Sequence, residues 1–530
     1  MELYLIMSAV ICIICIFASS LSYKIGVPSL LLFILLGMMF GTDGIFRINF
    51  SDYGLSEFIC SVALIFIMFY GGFCTNWNEA KPVAVKSIIL SSAGVILTAA
   101  LTGLFCHFFL KISLLEGLLI GSILSSTDAA SVFSILRVKK LNLVNGMASI
   151  LEVESGSNDP VSYMLTIIVL SMMTGNATPS SVAATFGAEI LFGLLFGGAA
   201  GLAGRFIFRM EHFRSREMLP ILGMSMALLT YGLSNEVGGN GFLSVYMAGI
   251  IIGNSKIHYK VELVHFFDGI TGMMQIVLFF LLGLLCFPSR IIPVILPSIC
   301  IMAFMLLLAR PLAVYLVLRP FKVPLRQQML ISWAGLRGAA SIVFAIMAVL
   351  NPASLMLDIF HIVFCVCLLS VAIQGTFLPW IAKKLDVIGS TDNIFKTFND
   401  YREDPSVHLT EIHLPDGHPW VNHRLKDVVV ADGMMAVMIL RNDDTLIPKG
   451  DTMVLADDTV ILNSTAYTDN TGIKLREVQV GRYHPWVNKK VSDLTLPKNT
   501  LIFLIRRAGS SLVPDGQTYI KDGDSLILNA

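Results

Sequence analysis

The chain has 530 residues, 55% of them hydrophobic and 14% charged, with 37 basic and 37 acidic side chains that cancel. A soluble domain carries about 25% charged residues, so this composition excludes an ordinary soluble protein and predicts a polytopic membrane protein. A net charge of zero gives no reason to expect a nucleic-acid partner.

Spans of about 20 apolar residues cross a hydrocarbon core. The hydrophobic runs place about thirteen of them, near residues 3–22, 27–41, 55–73, 83–109, 114–136, 147–173, 184–208, 217–235, 241–253, 265–287, 291–318, 327–349 and 357–382. The first run has no basic stretch before it and reads as a retained helix, not a cleaved signal. The second and ninth are short and read as tilted or re-entrant. With the amino terminus outside, the inner loops collect Lys24, Lys81, Lys86, Arg137, Lys139, Lys140, Arg205, Arg209, Arg214, Arg216, Lys256, Lys260, Arg319, Lys322, Arg326, Lys383 and Lys384. The outer loops collect only Arg47, Lys111 and Arg290. That is the positive-inside pattern of a multi-pass protein in the cell's inner (plasma) membrane, and it puts the chain after residue 385 in the cytoplasm. The cysteines all precede residue 385 and none has zinc-type spacing; Cys12 and Cys15 read as lipid-facing or packing residues of the first helix. The ten histidines form no cluster at metal spacing.

The fifth span holds Ser125-Ser126-Thr127-Asp128-Ala129-Ala130 and the sixth holds Glu154-Ser155-Gly156-Ser157-Asn158-Asp159-Pro160. Asp128 and Asp159 each fall about halfway along their spans, where a charge costs roughly 3 kcal/mol on insertion scales and marks an ion pathway. Ser155 and Asp159, four residues apart, share one helix face, and Glu154 and Asn158 share the next. Pro160 has no N–H, which frees the carbonyl of Gly156. A hydroxyl, a carboxylate and a free carbonyl are oxygen ligands suited to a hard monovalent cation. Asn158 cannot ionise, so one carboxylate holds either one cation or one proton, which implies one-for-one, electroneutral exchange. Glu152 and Glu189 read as facing a water-filled funnel. Glu57, Glu116, Glu236 and Asp358 fall near span ends as solvated charges, and Asp268 reads as interfacial.

Late in the membrane part, Arg310 precedes Pro311 in the eleventh span and reads as a snorkelling or locally paired residue. The twelfth span contains Gly335-Leu336-Arg337-Gly338. Its glycines permit close packing or local unwinding, and Arg337 needs a carboxylate partner to be tolerated. Transporters carry ion sites on helices broken at mid-membrane, and both the fifth and the twelfth spans look breakable. Seven spans separate them, as corresponding places in two inverted repeats would be.

These motifs, Thr127-Asp128, then Glu154-Ser155-Gly156-x-Asn158-Asp159, then Gly335-Leu336-Arg337-Gly338, resemble the NhaP-type branch of the monovalent cation:proton antiporter-1 family. The run Phe267-Asp268-Gly269-Ile270, followed by Gln275 and Phe279 to Leu284, is also similar to that family's tenth span. The resemblance covers residues 1–385. It implies a homodimer with a dimerisation domain and a six-helix core, working by alternating access without a cofactor and in contact with membrane lipid. Carried onto this chain, it makes Asp159 the shared ion and proton carboxylate, with Asp128 beside it and with Ser155 and the Thr127 backbone among the ligands of a bound cation. Asn158 would orient the site, and Glu154 would pair with Arg337 as a structural brace. Where the family often has Pro after the Thr-Asp pair, this chain has Ala129.

Beyond residue 385 a repeat appears. His418-Pro419-Trp420-Val421-Asn422 recurs as His484-Pro485-Trp486-Val487-Asn488, and Ile447-Pro448-Lys449-Gly450 recurs as Val513-Pro514-Asp515-Gly516. Each copy, 403–468 and 473–530, reads as a strand, a short helix after His-Pro-Trp, and three or four short strands, with a turn at Asp443-Asp444 in the first. The pattern resembles the TrkA-C (RCK_C) regulatory domain, which implies a small cytosolic ligand, a nucleotide among the candidates, and links the chain to potassium.

The expected fold is thus an all-α polytopic membrane domain with inverted repeats and broken helices, followed by a small α+β cytoplasmic regulatory region of two repeats. The expected function is secondary antiport of a monovalent cation, K+ favoured over Na+, against H+. A gated K+ channel is the rival reading, but it needs a Thr-Val-Gly-Tyr-Gly type of filter, and the nearest string, Thr230-Tyr231-Gly232, lacks the pattern. No nucleophile elbow, HExxH or phosphate loop points to an enzyme.

Overall fold

In the computed structural model the chain divides into two compact units, Met1–Tyr401 and Arg402–Ala530. The structure describes all residues except 1, 26–27, 140, 142, 145, 176–177, 211–217, 256, 258, 352, 354, 390–406, 429–434, 442–443, 466–474, 481–483, 495–501, 508–509, 513, 515 and 530. The basic residues Lys140, Arg214, Arg216 and Lys256, the turn residues Asp443, Val513 and Asp515, and the repeat boundaries at 403, 468 and 473 lie outside the described residues.

The first unit is helical. In chain order its helices of nine residues or more are α1 (Glu2–Ile25), α2 (Ser29–Phe40), α3 (Tyr53–Cys74), α4 (Ala84–Leu110), α5 (Leu114–Leu124), α6 (Ala129–Val138), α7 (Met147–Met173), α8 (Pro179–Ile207), α9 (Met218–Glu236), α10 (Gly241–Gly253), α11 (Lys260–Leu284), α12 (Pro288–Leu318), α13 (Leu325–Trp333), α14 (Ala339–Leu350) and α15 (Ile359–Lys384). Among the described residues, six of these, α3, α4, α8, α11, α12 and α15, are long and apolar enough to cross a membrane by length and composition. Helices α2 and α10, with 12 and 13 residues, are only about 20 Å long at 1.5 Å per residue, short of the hydrocarbon thickness of about 30 Å. Single π turns at Leu90–Gly94, Met305–Ala309 and Ser370–Gly375 interrupt α4, α12 and α15, a feature that rotates the helix faces on either side of it.

With no water to drive helices together in lipid, close backbone approach does much of the packing. Gly249 of α10 lies so near α3 that a Cβ on it would sit 2.4 Å from the Phe69 carbonyl oxygen, and Gly121 of α5 lies so near α4 that a Cβ would sit 2.2 Å from that of Ala99. The two segments expected to break do so. The small, polar run Ser125–Asp128 separates α5 from α6, and Ala334–Gly338 separates α13 from α14.

The second unit is two copies of one small sheet. Strands β1 (Val407–His413), β2 (Met435–Arg441), β3 (Asp444–Leu446) and β4 (Thr459–Thr465) pair antiparallel in the order β1-β4-β2-β3. Strands β5 (Leu475–Gln479), β6 (Ile502–Arg507), β7 (Ser510–Leu512) and β8 (Ser525–Asn529) repeat that order as β5-β8-β6-β7. Even the register shift recurs, between Ala436 and Met438 and between Ile502 and Leu504. The first core holds Leu414, Ile439, Val454, Val460 and Leu462, and the second holds Val480, Ile505, Ile520, Leu526 and Leu528 at the same spacing. An ion pair to a fully buried aspartate recurs in both sheets. Arg441 grips the fully buried Asp458 through Nε and Nη2, both at 2.7 Å, and Arg507 grips Asp524 identically. The guanidinium hydrogen bond holds each carboxyl below the ordinary aspartate range. The helix expected after His-Pro-Trp is a correction: the chain there forms turns and then only a three-residue 3-10 segment, Leu425–Asp427 or Val491–Asp493. Asn422 and Asn488 adopt left-handed φ angles of 64° and 63°, a conformation that ends a helix.

Candidate functional site

The two unwound segments of the first unit meet. The Asp128 N–H donates to the Leu336 carbonyl at 2.8 Å. Arg337 Nη1 donates to the carbonyls of Ser125 and Ser126 at 2.8 and 2.9 Å, and its own N–H donates to Ser370 Oγ at 3.0 Å. The carbonyls of the unwound segment after α5 are thereby satisfied by a guanidinium, which answers the problem that backbone outside a helix poses in a dry interior. Gly338 is required for the crossing, because a Cβ there would lie 2.4 Å from Asp128 Cβ.

Helix α7 runs past this crossing and supplies the carboxylate. Ser126 Oγ donates to Asp159. Ser155 Oγ donates to the Thr127 carbonyl at 2.8 Å. Asn158 Nδ2 donates to Thr127 Oγ1 and, at 3.3 Å, to Glu154 Oε1. Since a carboxylate only accepts, this fixes the amide orientation, and it leaves Asn158 Oδ1 buried with no donor. Asp159, Asn158, Ser155 and Thr127 are therefore brought together. Asp128 adjoins them and also caps α6, accepting from the Ser131 N–H at 3.2 Å and from Ser131 Oγ. Gly156 packs against the ring of Tyr246 on α10: a Cβ there would fall 2.4 Å from Cζ. The Pro160 carbonyl accepts from Asn240 Nδ2 at 3.0 Å.

The expected Glu154–Arg337 brace is corrected. Glu154 Oε1 lies 2.7 Å from Nη2 of Arg310, and both side chains are almost fully buried. Arg337 is spent on backbone carbonyls of the crossing, while Arg310, directly after the π turn of α12, reaches the face of α7 that carries Glu154. Arg310 does not snorkel; it is 1% exposed. Two other expectations also fail. Glu116 is not a solvated end charge but a buried acceptor for the N–H groups of Met356 and Leu357, at 2.8 and 2.9 Å. Glu189 is buried and not funnel-lining. Ser126 had no role of its own in the sequence reading, and Arg310 stood there only as snorkelling or locally paired. The available signal for Arg310 was that a second arginine inside a span needs its own carboxylate. Among the described residues no group of three or more His, Cys, Asp or Glu side chains is placed to hold a metal ion.

Two helices unwound at mid-length and crossing beside a buried carboxylate define the class: an ion-coupled secondary transporter of the broken-helix kind. The family model for the transmembrane sodium/hydrogen exchanger matches residues 6–384, and the chain belongs to that family. The TrkA-C domain model matches residues 409–464 and 475–529. The chain is 31% identical over 465 residues to the K(+)/H(+) antiporter NhaP of Alkalimonas amylolytica, covering 87% of this chain and 81% of that one. It is 32% identical over 465 residues to the K(+)/H(+) antiporter NhaP2 of Shewanella baltica, covering 86% and 80%. The fold is similar to the solved structure of the sodium proton antiporter MjNhaP1 from Methanocaldococcus jannaschii, with a TM-score of 0.64 at 23% identity, covering 73% of this chain and 99% of that one.

Proposed function

We propose that the chain exchanges a monovalent cation, K+ in preference to Na+, for H+ by alternating access, with residues 1–385 as the transport domain in about thirteen spans built as inverted repeats. The observation that carries this reading is Asp159, held by Ser126 at the crossing of the two unwound segments. Asp159 takes the cation or the proton, never both. Ser155, Thr127 and the orphaned Oδ1 of Asn158 supply the oxygens that replace a cation's hydration, and Asp128 adds charge beside them. Each state of the site then carries the same net charge, so exchange is one-for-one and electroneutral. K+ is favoured because this chain carries two TrkA-C matches and because relatives similar over most of its length are named K(+)/H(+) antiporters. The chain works as a homodimer in the plasma membrane, with residues 403–468 and 473–530 as cytoplasmic regulatory repeats that take a small ligand such as a nucleotide.

The test is collapse of a pH gradient in vesicles holding the reconstituted protein, titrated separately with K+, Na+ and Li+. K+ should act at the lowest concentration, and an imposed membrane potential should leave the rate unchanged. A rate that follows voltage, with leaks controlled, overturns electroneutrality, and dissipation by none of the three cations overturns antiport.

A further inference from the structure

A buried titratable group that the exchange reading leaves unused is His361, in the first turn of α15 and fully buried. Its Nδ1 lies 2.7 Å from Asp358 Oδ2, and its Nε2 accepts from the Phe287 N–H at 3.1 Å, just before α12. A backbone amide only donates, so Nε2 carries no proton, and the proton of the neutral ring sits on Nδ1 against the carboxylate. One uncharged imidazole therefore joins the first turn of α15 to the start of α12.

The charges around it favour a proton. Asp358 accepts from the His361 N–H at 3.3 Å and lies 3.9 Å from Arg290, whose guanidinium sits over the Phe287 ring. From the connection between α2 and α3, Asp43 Oδ2 accepts from the N–H and Oγ of Ser289 at 3.2 and 2.5 Å. Behind Asp358, Glu116 of α5 accepts from the N–H groups of Met356 and Leu357. Tyr53 of α3, Cys286 and Cys365 also face this cluster, and groups of their kind bear no charge at neutral pH. Three carboxylates thus stand against one guanidinium, while burial and the Phe287 N–H keep a second proton off the ring. Protonating Nε2 in place would set two donors against each other and charge a group that no water reaches. The ring takes that proton only if the start of α12 withdraws, and the imidazolium then keeps Asp358 as its partner.

We propose that His361 is a second proton-binding site, separate from Asp159, which latches the start of α12 to α15 while neutral and releases it on protonation. Because the latched arrangement needs a neutral ring, it holds fully above the pKa of a solvated imidazole, about 6.5. Below that value it weakens, the released population rising about tenfold for each pH unit. Both helices lead to the exchange centre: α12 carries Arg310, the partner of Glu154, and α15 carries Ser370, which accepts from the Arg337 N–H. His361 lies at the end of α15 opposite Lys383 and Lys384, so the pH it answers to is that of the face away from the basic loops. Modulation of exchange by this site rests on the exchange reading; the latch itself does not.

The experiment follows backbone amide exchange in the full-length protein from about pH 8 to about pH 5, with rates corrected for intrinsic chemistry. The Phe287 and Ser289 amides should be protected at the upper end and should lose about tenfold in protection for each pH unit below about 6.5. Aspartates titrate near pH 4, about two units too low for Asp43 or Asp358 to give that step. His361→Gln, which offers an uncharged amide oxygen in the place of Nε2, should keep both amides protected over the whole range. If that variant does not fold, the wild-type series decides. Protection at Phe287 that stays level in the wild type overturns the proposal, and so does a step that persists in folded His361→Gln. In vesicles, the exchange rates of wild type and His361→Gln should agree at about pH 8 and diverge at about pH 6. Rates in constant ratio, with the amide step present, keep the proton site and remove only its link to transport.

Discussion

Asp159 and Arg310 show two ways in which a charge survives inside this unit. Asp159 accepts from the Ser126 hydroxyl, beside a cluster in which Ser155 and Asn158 bond to Thr127, and is the residue proposed to trade a proton for a cation. Asp159→Asn is therefore expected to abolish both cation-driven proton movement and proton-driven cation movement in vesicles; exchange at the wild-type rate would refute the shared carboxylate. Arg310 survives by pairing with Glu154. Removing either partner strands the other in a dry interior at a cost of about 3–5 kcal/mol, so Arg310→Ala and Glu154→Ala should each lower the yield of folded protein and its unfolding midpoint. The double variant should be less damaged than the two single effects added together, the signature of direct contact. Combining Arg337→Ala with Glu154→Ala should show weaker coupling, because Arg337 bonds to carbonyls instead. Equal coupling in both cycles would restore the brace expected from the sequence.

Among the elements, the crossing depends on bare backbone. Gly338→Ala pushes a methyl group to 2.4 Å from Asp128 Cβ, and overpacking of this kind costs about 1–3 kcal/mol. It should lower the unfolding midpoint and slow exchange together. Gly269→Ala in α11 is the control, since nothing lies within 4 Å of its added Cβ; it should leave both unchanged. The breaks were legible in the sequence because small, polar and glycine residues in an apolar run have few other uses. Asp159 was legible because a carboxylate at mid-span is rarely idle. The partner of Glu154 was not, since which of two arginines reaches it depends on how α12 turns around its π turn, a matter of tertiary packing and not of spacing. In the sheets the repeat itself was plain, but the helix after His-Pro-Trp was not there, because the left-handed asparagine that stops it looks like any other polar residue. The Asp458 and Asp524 carboxyls, held low by Arg441 and Arg507, stabilise their sheets fully above the unfolded aspartate pKa. That stabilisation is lost as pH falls through the lowered folded value. Amide protection in β2, β4, β6 and β8 of the full-length protein, corrected for intrinsic rates, should hold down to about pH 4 and then drop. Asp458→Asn should already lack the protection in β2 and β4 at neutral pH, with β6 and β8 unaffected; protection that is level across this range in the wild type would refute the role of the pairs.

For the whole molecule, the question is what the two sheets are for. Each has its own core and its own ion pair, and among the described residues the hydrogen-bond partners at the proposed exchange centre all come from before residue 385. The first unit also closes itself off just past α15. The Val144 N–H donates to the Val387 carbonyl at 3.2 Å, and Leu143 bridges to Ile388. A truncation after Gly389 therefore keeps every contact of the exchange centre, and the shortened chain should fold with unchanged preference among K+, Na+ and Li+. A regulatory tail can shift the exchanger only if its ligand binds one state better than the other, because equal affinity shifts nothing. The full-length chain should accordingly show a pH and nucleotide dependence of rate that the truncated chain lacks. Vesicle assays of both proteins over a range of pH, with and without added cytosolic nucleotides, give the comparison. Identical profiles from two folded proteins would make the sheets inert packing modules, and altered ion preference in the shorter chain would mean that the tail shapes the exchange centre itself.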